Sequence, residues 1–150
     1  VVLNPSPFRI LSKELLSAID LLVLNEGEAA QLTAGSADAL ALKDLMTRHN
    51  LAGIVITQGG DGAQILTPGE TFRHIPGYAV PVEDTTGCGD AFTAALCSAL
   101  ASDASIDHAV RVANAVGAFA AGRRGAQSSY PTADELAKWL KQHEPLSAAT

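Results

Sequence analysis

The chain has 150 residues, a length that suits a single domain over 1–150 and is enough to bury a core. Apolar residues make up 47% and charged residues 17%, with mean hydropathy +0.18, which excludes a disordered chain. With 16 acidic residues against 10 basic ones the net charge is −6, and aromatic residues are only 5%, so a nucleic-acid partner is disfavoured on both charge and stacking grounds.

The first residues, Val1-Val2-Leu3, read as a buried strand closed by the turn Asn4-Pro5-Ser6-Pro7. Ser12 opens a helical pattern through Leu15, Leu16 and Ile19. Leu21-Leu22-Val23-Leu24 is a second apolar run, of the kind found in parallel strands covered on both faces. Asn25-Glu26-Gly27-Glu28 follows at that strand's carboxyl end, and a short helix is predicted from Glu28 to Leu32. Ser36 is placed to cap a further helix, with Leu40, Leu42, Leu45 and Met46 facing inward. Ile54 to Thr57 is the third strand, Gln58-Gly59-Gly60-Asp61-Gly62 a tight turn, and Ala63 to Leu66 the returning strand.

Pro68-Gly69 makes another turn before Thr71 to Ile75, and Tyr78 to Val82 reads as a further extended segment. The second half turns helical. Ala91 to Leu100 is almost wholly apolar and is expected to be buried, and Ile106 to Ala121 has more than one apolar face. Thr132-Ala133-Asp134-Glu135 has the form of a capping box and opens an amphipathic helix with Leu136, Trp139 and Leu140. Ser147 to Thr150 reads as a fraying tail. Parallel strands followed by an antiparallel group, alternating with helices, imply an α/β fold with helices on both faces.

Cys88 and Cys97 lie in an alanine-rich apolar stretch and read as two reduced, small buried side chains of a cytoplasmic protein. The histidines His49, His74, His108 and His143 are scattered without zinc spacing. The opening residues carry no basic-plus-apolar signal pattern, and no apolar run is long enough to cross a bilayer, so no membrane partner is expected.

The strongest chemical signal is Asp84-Thr85-Thr86-Gly87-Cys88-Gly89-Asp90 ahead of an apolar helix. Small residues let backbone N–H groups converge at a helix start, where the first-turn amides lack partners and the dipole is positive, a geometry that binds anions. The same end of the helix favours a charged carboxylate at Asp90. An ionised Asp beside an oxyanion site can accept a hydroxyl proton during phosphoryl transfer. The competing reading is that Asp90 only stabilises the first turn and the glycines only serve the turn. Asn25 to Glu28 also reads as a polar helix start, and Thr57 to Gly62 as a glycine-rich hairpin that is neither a P-loop nor a dinucleotide fingerprint.

The Asp84–Asp90 string resembles the second signature of the ribokinase-like (PfkB) sugar kinases, approximately Asp-Thr-x-Gly-Ala-Gly-Asp, with Cys88 where Ala is usual. The resemblance implies Asp90 as catalytic base and sugar contact, and the Gly87, Cys88 and Gly89 amides as an anion hole. Asn25-Glu26-Gly27-Glu28 is similar to the family's Asn-x-x-Glu motif, which implies Asn25 and Glu28 in the phosphate region, with Glu28 holding Mg²⁺ through water. Thr57-Gln58-Gly59-Gly60-Asp61-Gly62 resembles the family's Thr-x-Gly-x-x-Gly turn, which implies Thr57, Gly59 and Gly62 against the nucleotide, and Asn114 matches a position near adenine. Gly122 to Ser129 resembles the segment that closes a monovalent-cation site; by position Asp84, Thr86, Ala120, Arg123, Gly125 and Ser129 are the K⁺ candidates. The bland alternative for Arg123-Arg124 is a solvated helix C-terminus.

The motifs keep the family's order from Asn4-Pro5 to Trp139. They imply the C-terminal, nucleotide-binding portion of a ribokinase-like three-layer α/β/α sandwich with a mostly parallel sheet. The expected reaction is ATP-dependent transfer to a sugar hydroxyl, with ribose to ribose 5-phosphate the best fit, and ATP, Mg²⁺ and K⁺ as the implied cofactors. Val1-Val2-Leu3, without a Met, is expected to be an internal strand, with the N-terminal sugar-binding half and lid absent. Two alternatives stay open: a chain that binds nucleotide without catalysis, and a kinase for another sugar, a nucleoside or a vitamin. A homo-oligomer is neither implied nor excluded.

Overall fold

The computed structural model describes residues 1–33, 35 and 39–146. The Ser36 cap and the tail at 147–150 lie outside the described residues. The residues gather into two compact units, Val1–Gln58 with Gln64–His74, and Gly59–Ala63 with Ile75–Thr150.

In the first unit, β1 (Val2–Leu3), β2 (Leu21–Asn25) and β3 (Gly53–Thr57) pair in parallel, with Leu22 opposite Ile54 and Leu24 opposite Ile56. Alternate side chains share a face. Leu22, Leu24, Ile54 and Ile56 therefore point together into a core closed by Leu16, Ile19, Ala29, Leu42, Met46 and Leu51. Val23 and Val55, on the opposite face, are equally buried. Two-sided burial is the condition under which such uninterrupted apolar strands are stable. The strands β4 (Gly62–Leu66) and β5 (Arg73–Pro76) complete a five-stranded sheet in the order β1-β2-β3-β4-β5. Their short links are too brief for a parallel crossover, so they run antiparallel, as the turn residues imply.

The helix α1 (Lys13–Leu16) is capped by Ser12 but ends well before Ile19, which is buried from the turn that follows. The helix α2 (Glu26–Leu32) starts two residues earlier than expected, because Asn25 is its cap. Along α3 (Ala39–His49), Leu42, Leu45 and Met46 are buried, but Leu40 is 79% exposed, contrary to the inward placement. Two residues back from Leu42 is some 200° round the helix, so Leu40 lies on the far side.

The second unit holds α4 (Cys88–Ala101), α5 (Ile106–Ala121) and α6 (Ala133–Leu140). The observed α5 has the predicted bounds, and α6 opens on the predicted capping box. Only Ala91, Phe92 and Leu96 of α4 are buried, correcting the expectation of a helix buried all round. One face of α4 packs on α5, where Ala91, Val116 and Ala120 meet Cys88, Ala95, Tyr130 and Leu136. Trp139 of α6 lies 5.2 Å from Tyr78 and 6.2 Å from Phe119, ring centre to ring centre. The segment from Tyr78 to Val82 is not a strand: Tyr78 makes a single bridge to Pro145, and Pro81 has no N–H to continue a ladder. At Gly62, φ is +107° and a Cβ would sit 2.2 Å from the Ile75 carbonyl oxygen, so the turn between β3 and β4 closes only around glycine.

Candidate active site at the start of α4

The loop before α4 is tied to the end of α5 by backbone and by one carboxylate. Glu83 and Asp84 donate N–H bonds to the Ala121 carbonyl at 2.8 and 3.3 Å. Asp84 then accepts in two directions, from the Gly125 N–H at 2.9 Å and from the Thr86 N–H at 2.9 Å. The bonds from Gly125 and then Thr86, with the Arg124 charge adding, lower its pKa from 3.8 to about 2. Asp84 is thus a fixed negative charge that clamps two loops.

Gly87 caps α4 with φ +77° and ψ 0°, and a Cβ there would lie 2.7 Å from the Tyr130 hydroxyl. Glycine is therefore required both for the left-handed conformation and for the close approach. The Tyr130 hydroxyl donates to the Gly87 carbonyl at 3.0 Å. Cys88 turns its N–H onto the Thr85 carbonyl at 3.2 Å, and its thiol leans toward the Asp84 carbonyl at 3.7 Å. Burial, then the Asp84 charge, raise the Cys88 pKa, so the thiol stays protonated and is no nucleophile.

Five helix starts can be compared. The first-turn amides of α1, α2, α5 and α6 are capped by the side chains of Ser12, Asn25, Ser105 and Thr132. Gly87 offers α4 no side-chain cap. The Gly87, Gly89 and Asp90 N–H groups have no protein partner among the described residues. A Cβ on Gly89 would meet nothing within 4 Å, so the backbone opens onto free space. The Asp90 carboxylate is exposed at the same turn. The expected amides are those of Gly87, Cys88 and Gly89, and the ones left unpartnered are those of Gly87, Gly89 and Asp90. Cys88, expected to contribute its amide, spends it on Thr85.

Of the K⁺ candidates, Asp84, Thr86 and Gly125 are joined directly through the Asp84 carboxylate. The Ala120 carbonyl accepts the Arg123 N–H at 3.0 Å beside Ala121. The Arg123 guanidinium folds back, donating to the Phe119 carbonyl at 3.0 Å and lying 3.5 Å from the Phe119 ring centre. That is the behaviour of a cation at a helix C-terminus. Ser129 is buried, and its hydroxyl donates to the Ala126 carbonyl at 2.6 Å. The donors these residues offer are oxygens, mostly backbone carbonyls with one carboxylate that is ionised at neutral pH, a set that suits a hard cation.

Asn114 is buried, and its amide group donates to the Ile75 and Pro76 carbonyls at 3.0 and 3.2 Å, so only its side-chain oxygen is left for a base. Gly59 and Gly62 belong to this same unit, whereas Asn25, Glu28 and Thr57 belong to the other. There Asn25 and Glu28 form a closed capping box, with the Glu28 N–H on Asn25 at 2.8 Å and the Asn25 N–H on Glu28 Oε2 at 2.9 Å. Glu28 is buried, with its Oε2 committed to that box. Thr57 spends its hydroxyl on the Leu24 carbonyl at 3.3 Å. One residue escaped the sequence reading altogether. Tyr130 sits just past the motifs, and only its contact with Gly87 reveals it.

Compared with known proteins, residues 1–133 match the pfkB family carbohydrate kinase pattern. The chain belongs to the pfkB family of carbohydrate kinases. Its similarity to other pfkB-related chains is end to end here but partial there. It is 38% identical over 145 residues to the ribokinase of Haemophilus influenzae, covering 94% of this chain and 47% of that protein. It is 37% identical to the ATP-dependent ribose-1-phosphate kinase of Halopiger xanaduensis, covering 86% and 41%. Among solved structures, ribokinase from Thermotoga maritima superimposes with a TM-score of 0.84 at 26% identity, covering 94% of this chain and 48% of that one. Arabidopsis thaliana ribokinase complexed with ribose and ATP gives 0.82 at 28% identity, covering 94% and 47%. The pfkB chain described here spans about half the length of these relatives, and its fold is their α/β sandwich.

Proposed function

We propose that this chain is the nucleotide- and phosphate-handling portion of an ATP-dependent sugar kinase, with ribose as acceptor. The observation that carries the reading is the open start of α4: free Gly87, Gly89 and Asp90 amides with an exposed carboxylate at the same turn. In the proposed reaction a sugar hydroxyl gives its proton to the Asp90 carboxylate as its oxygen bonds to the γ-phosphorus of ATP. The bond from that phosphorus to the bridging oxygen breaks, and ADP leaves. Negative charge on the transferring group falls at the free amides, where the helix dipole and preorganised N–H donors stabilise it. Asn25 and Glu28 are assigned to the phosphate region. Bound through water at Glu28, Mg²⁺ would neutralise phosphate charge. Gly59, Gly62, Thr57 and Asn114 are assigned to the nucleotide. The Asp84, Thr86, Ala120, Arg123, Gly125 and Ser129 group is assigned to K⁺, whose charge would support the neighbouring anion hole.

Cys88 and Cys97 are free thiols, and no described helix is long and apolar enough to cross a membrane. The free thiols support a reducing, cytoplasmic setting. The test is sugar-dependent ADP formation by the full-length protein with Mg²⁺, in K⁺ and then in a large organic cation. The proposal expects turnover with ribose and a slower rate once K⁺ is replaced. No ADP formation with any sugar would overturn the kinase reading, and an unchanged rate without K⁺ would remove the cation assignment.

A further inference from the structure

We propose that Tyr130 is a positioning residue for phosphoryl transfer: its hydroxyl fixes the Gly87 carbonyl and so aims the free amides and the carboxylate at the start of α4. The inference rests on the reading of that helix start as the phosphate site. Its support is a set of bonds around one peptide unit. The Gly87 carbonyl accepts the Ala91 N–H at 2.9 Å and the Tyr130 hydroxyl at 3.0 Å, which occupies both of its lone pairs. Across the same peptide plane, the Cys88 N–H donates to the Thr85 carbonyl at 3.2 Å. That plane directly precedes Gly89 and Asp90, so its tilt sets where their amides point.

At the other compared helices, the cap residue's own side chain braces the first turn. Gly87 has no side chain, and the brace comes from 43 positions away. The Tyr130 ring is held in place by the cluster of Ala91, Val116 and Ala120 with Cys88 and Leu136. The phenol is the donor in the bond to the Gly87 carbonyl. Its proton is committed to the Gly87 carbonyl, so Tyr130 acts through geometry and takes no proton in the reaction. The glycine at 87 and the tyrosine at 130 form a matched pair, since a Cβ on the one would strike the hydroxyl of the other.

The test compares Tyr130→Phe and Tyr130→Met with wild type in the full-length enzyme. Phe keeps the ring, Met keeps an apolar chain of somewhat smaller volume, and both lack the donor. Turnover should fall about tenfold in each, the worth of one hydrogen bond acting in the transition state, with KM for ATP and sugar within about twofold. Affinity for ADP with aluminium fluoride and sugar, a mimic of the transferring group, should weaken about tenfold, while affinity for ADP alone should hold. Turnover and mimic binding within about twofold of wild type would overturn the positioning role. So would an equal loss for ADP alone, which marks general loosening, or a variant with Met that behaves unlike the one with Phe. Asp90→Asn separates the two levels. If it turns over like wild type, the site reading itself fails; if it is inactive while Tyr130→Phe is fully active, only the positioning role fails.

Discussion

Two helices that carry recognisable motifs, α2 and α4, begin with opposite arrangements of the same backbone groups. At α2 the Asn25 side chain and the Glu28 carboxylate each take one amide, so the cap closes on itself. At α4 the cap is a left-handed glycine, the brace is borrowed from Tyr130, and the amides of Gly89 and Asp90 have no protein partner among the described residues. A closed box lowers the free energy of the folded state by satisfying orphan donors. An open start gives that up, and the donors are then available to a ligand whose charge the helix dipole favours. The comparison separates a helix start whose amides are taken by its own cap from one whose amides stay unpartnered among the described residues.

The contrast breaks most sharply by adding one methyl group. Gly87→Ala should lower turnover about a hundredfold or more in the full-length enzyme, because a residue with a Cβ resists φ +77° and meets the Tyr130 hydroxyl at 2.7 Å. Thr132→Ala, which opens the closed box of α6, should instead cost about 1 kcal/mol of stability and leave turnover unchanged. Thermal melts beside steady-state rates read both effects; a Gly87→Ala enzyme with normal turnover, or a Thr132→Ala enzyme with lost turnover, would erase the distinction.

A smaller effect concerns acid. The folded state holds Asp84 at a pKa of about 2, below its ordinary 3.8. Its contribution to stability is therefore complete above pH 3.8 and is lost as pH falls through about 2. Acid unfolding of Asp84→Asn should show a shallower slope across that window than wild type. An identical slope would mean that the clamp between Thr86 and Gly125 does not form in solution.

Much of this arrangement is legible in the sequence where a local rule governs it. Ile106 to Ala121 and the Thr132 box follow from helical period and capping chemistry, which act within a few residues. The apolar run alone starts α4 at Ala91, because glycines usually interrupt helices, yet the helix begins at Cys88. The cause is tertiary: Tyr130 and Ala126 crowd Gly87 and hold the turn that lets the helix start there. The apolar pattern groups Leu40 with the inward face, though its angle round α3 puts it outside. Asn114 matches a position near adenine by resemblance alone, and its amide also serves the Ile75 and Pro76 carbonyls, a bond that no spacing along the chain announces. The site motifs are legible because they are contiguous, and their brace is not, because it lies 43 positions away.

The most direct measurement of the central claim is residue-resolved amide hydrogen exchange of the full-length enzyme, alone and with ADP, aluminium fluoride and ribose. The account predicts that the Gly89 and Asp90 amides exchange fast in the free enzyme and are protected at least about tenfold by the bound mimic, because an anion occupies donors that the protein leaves free. Unchanged exchange at both amides, with the mimic shown to be bound, would contradict it.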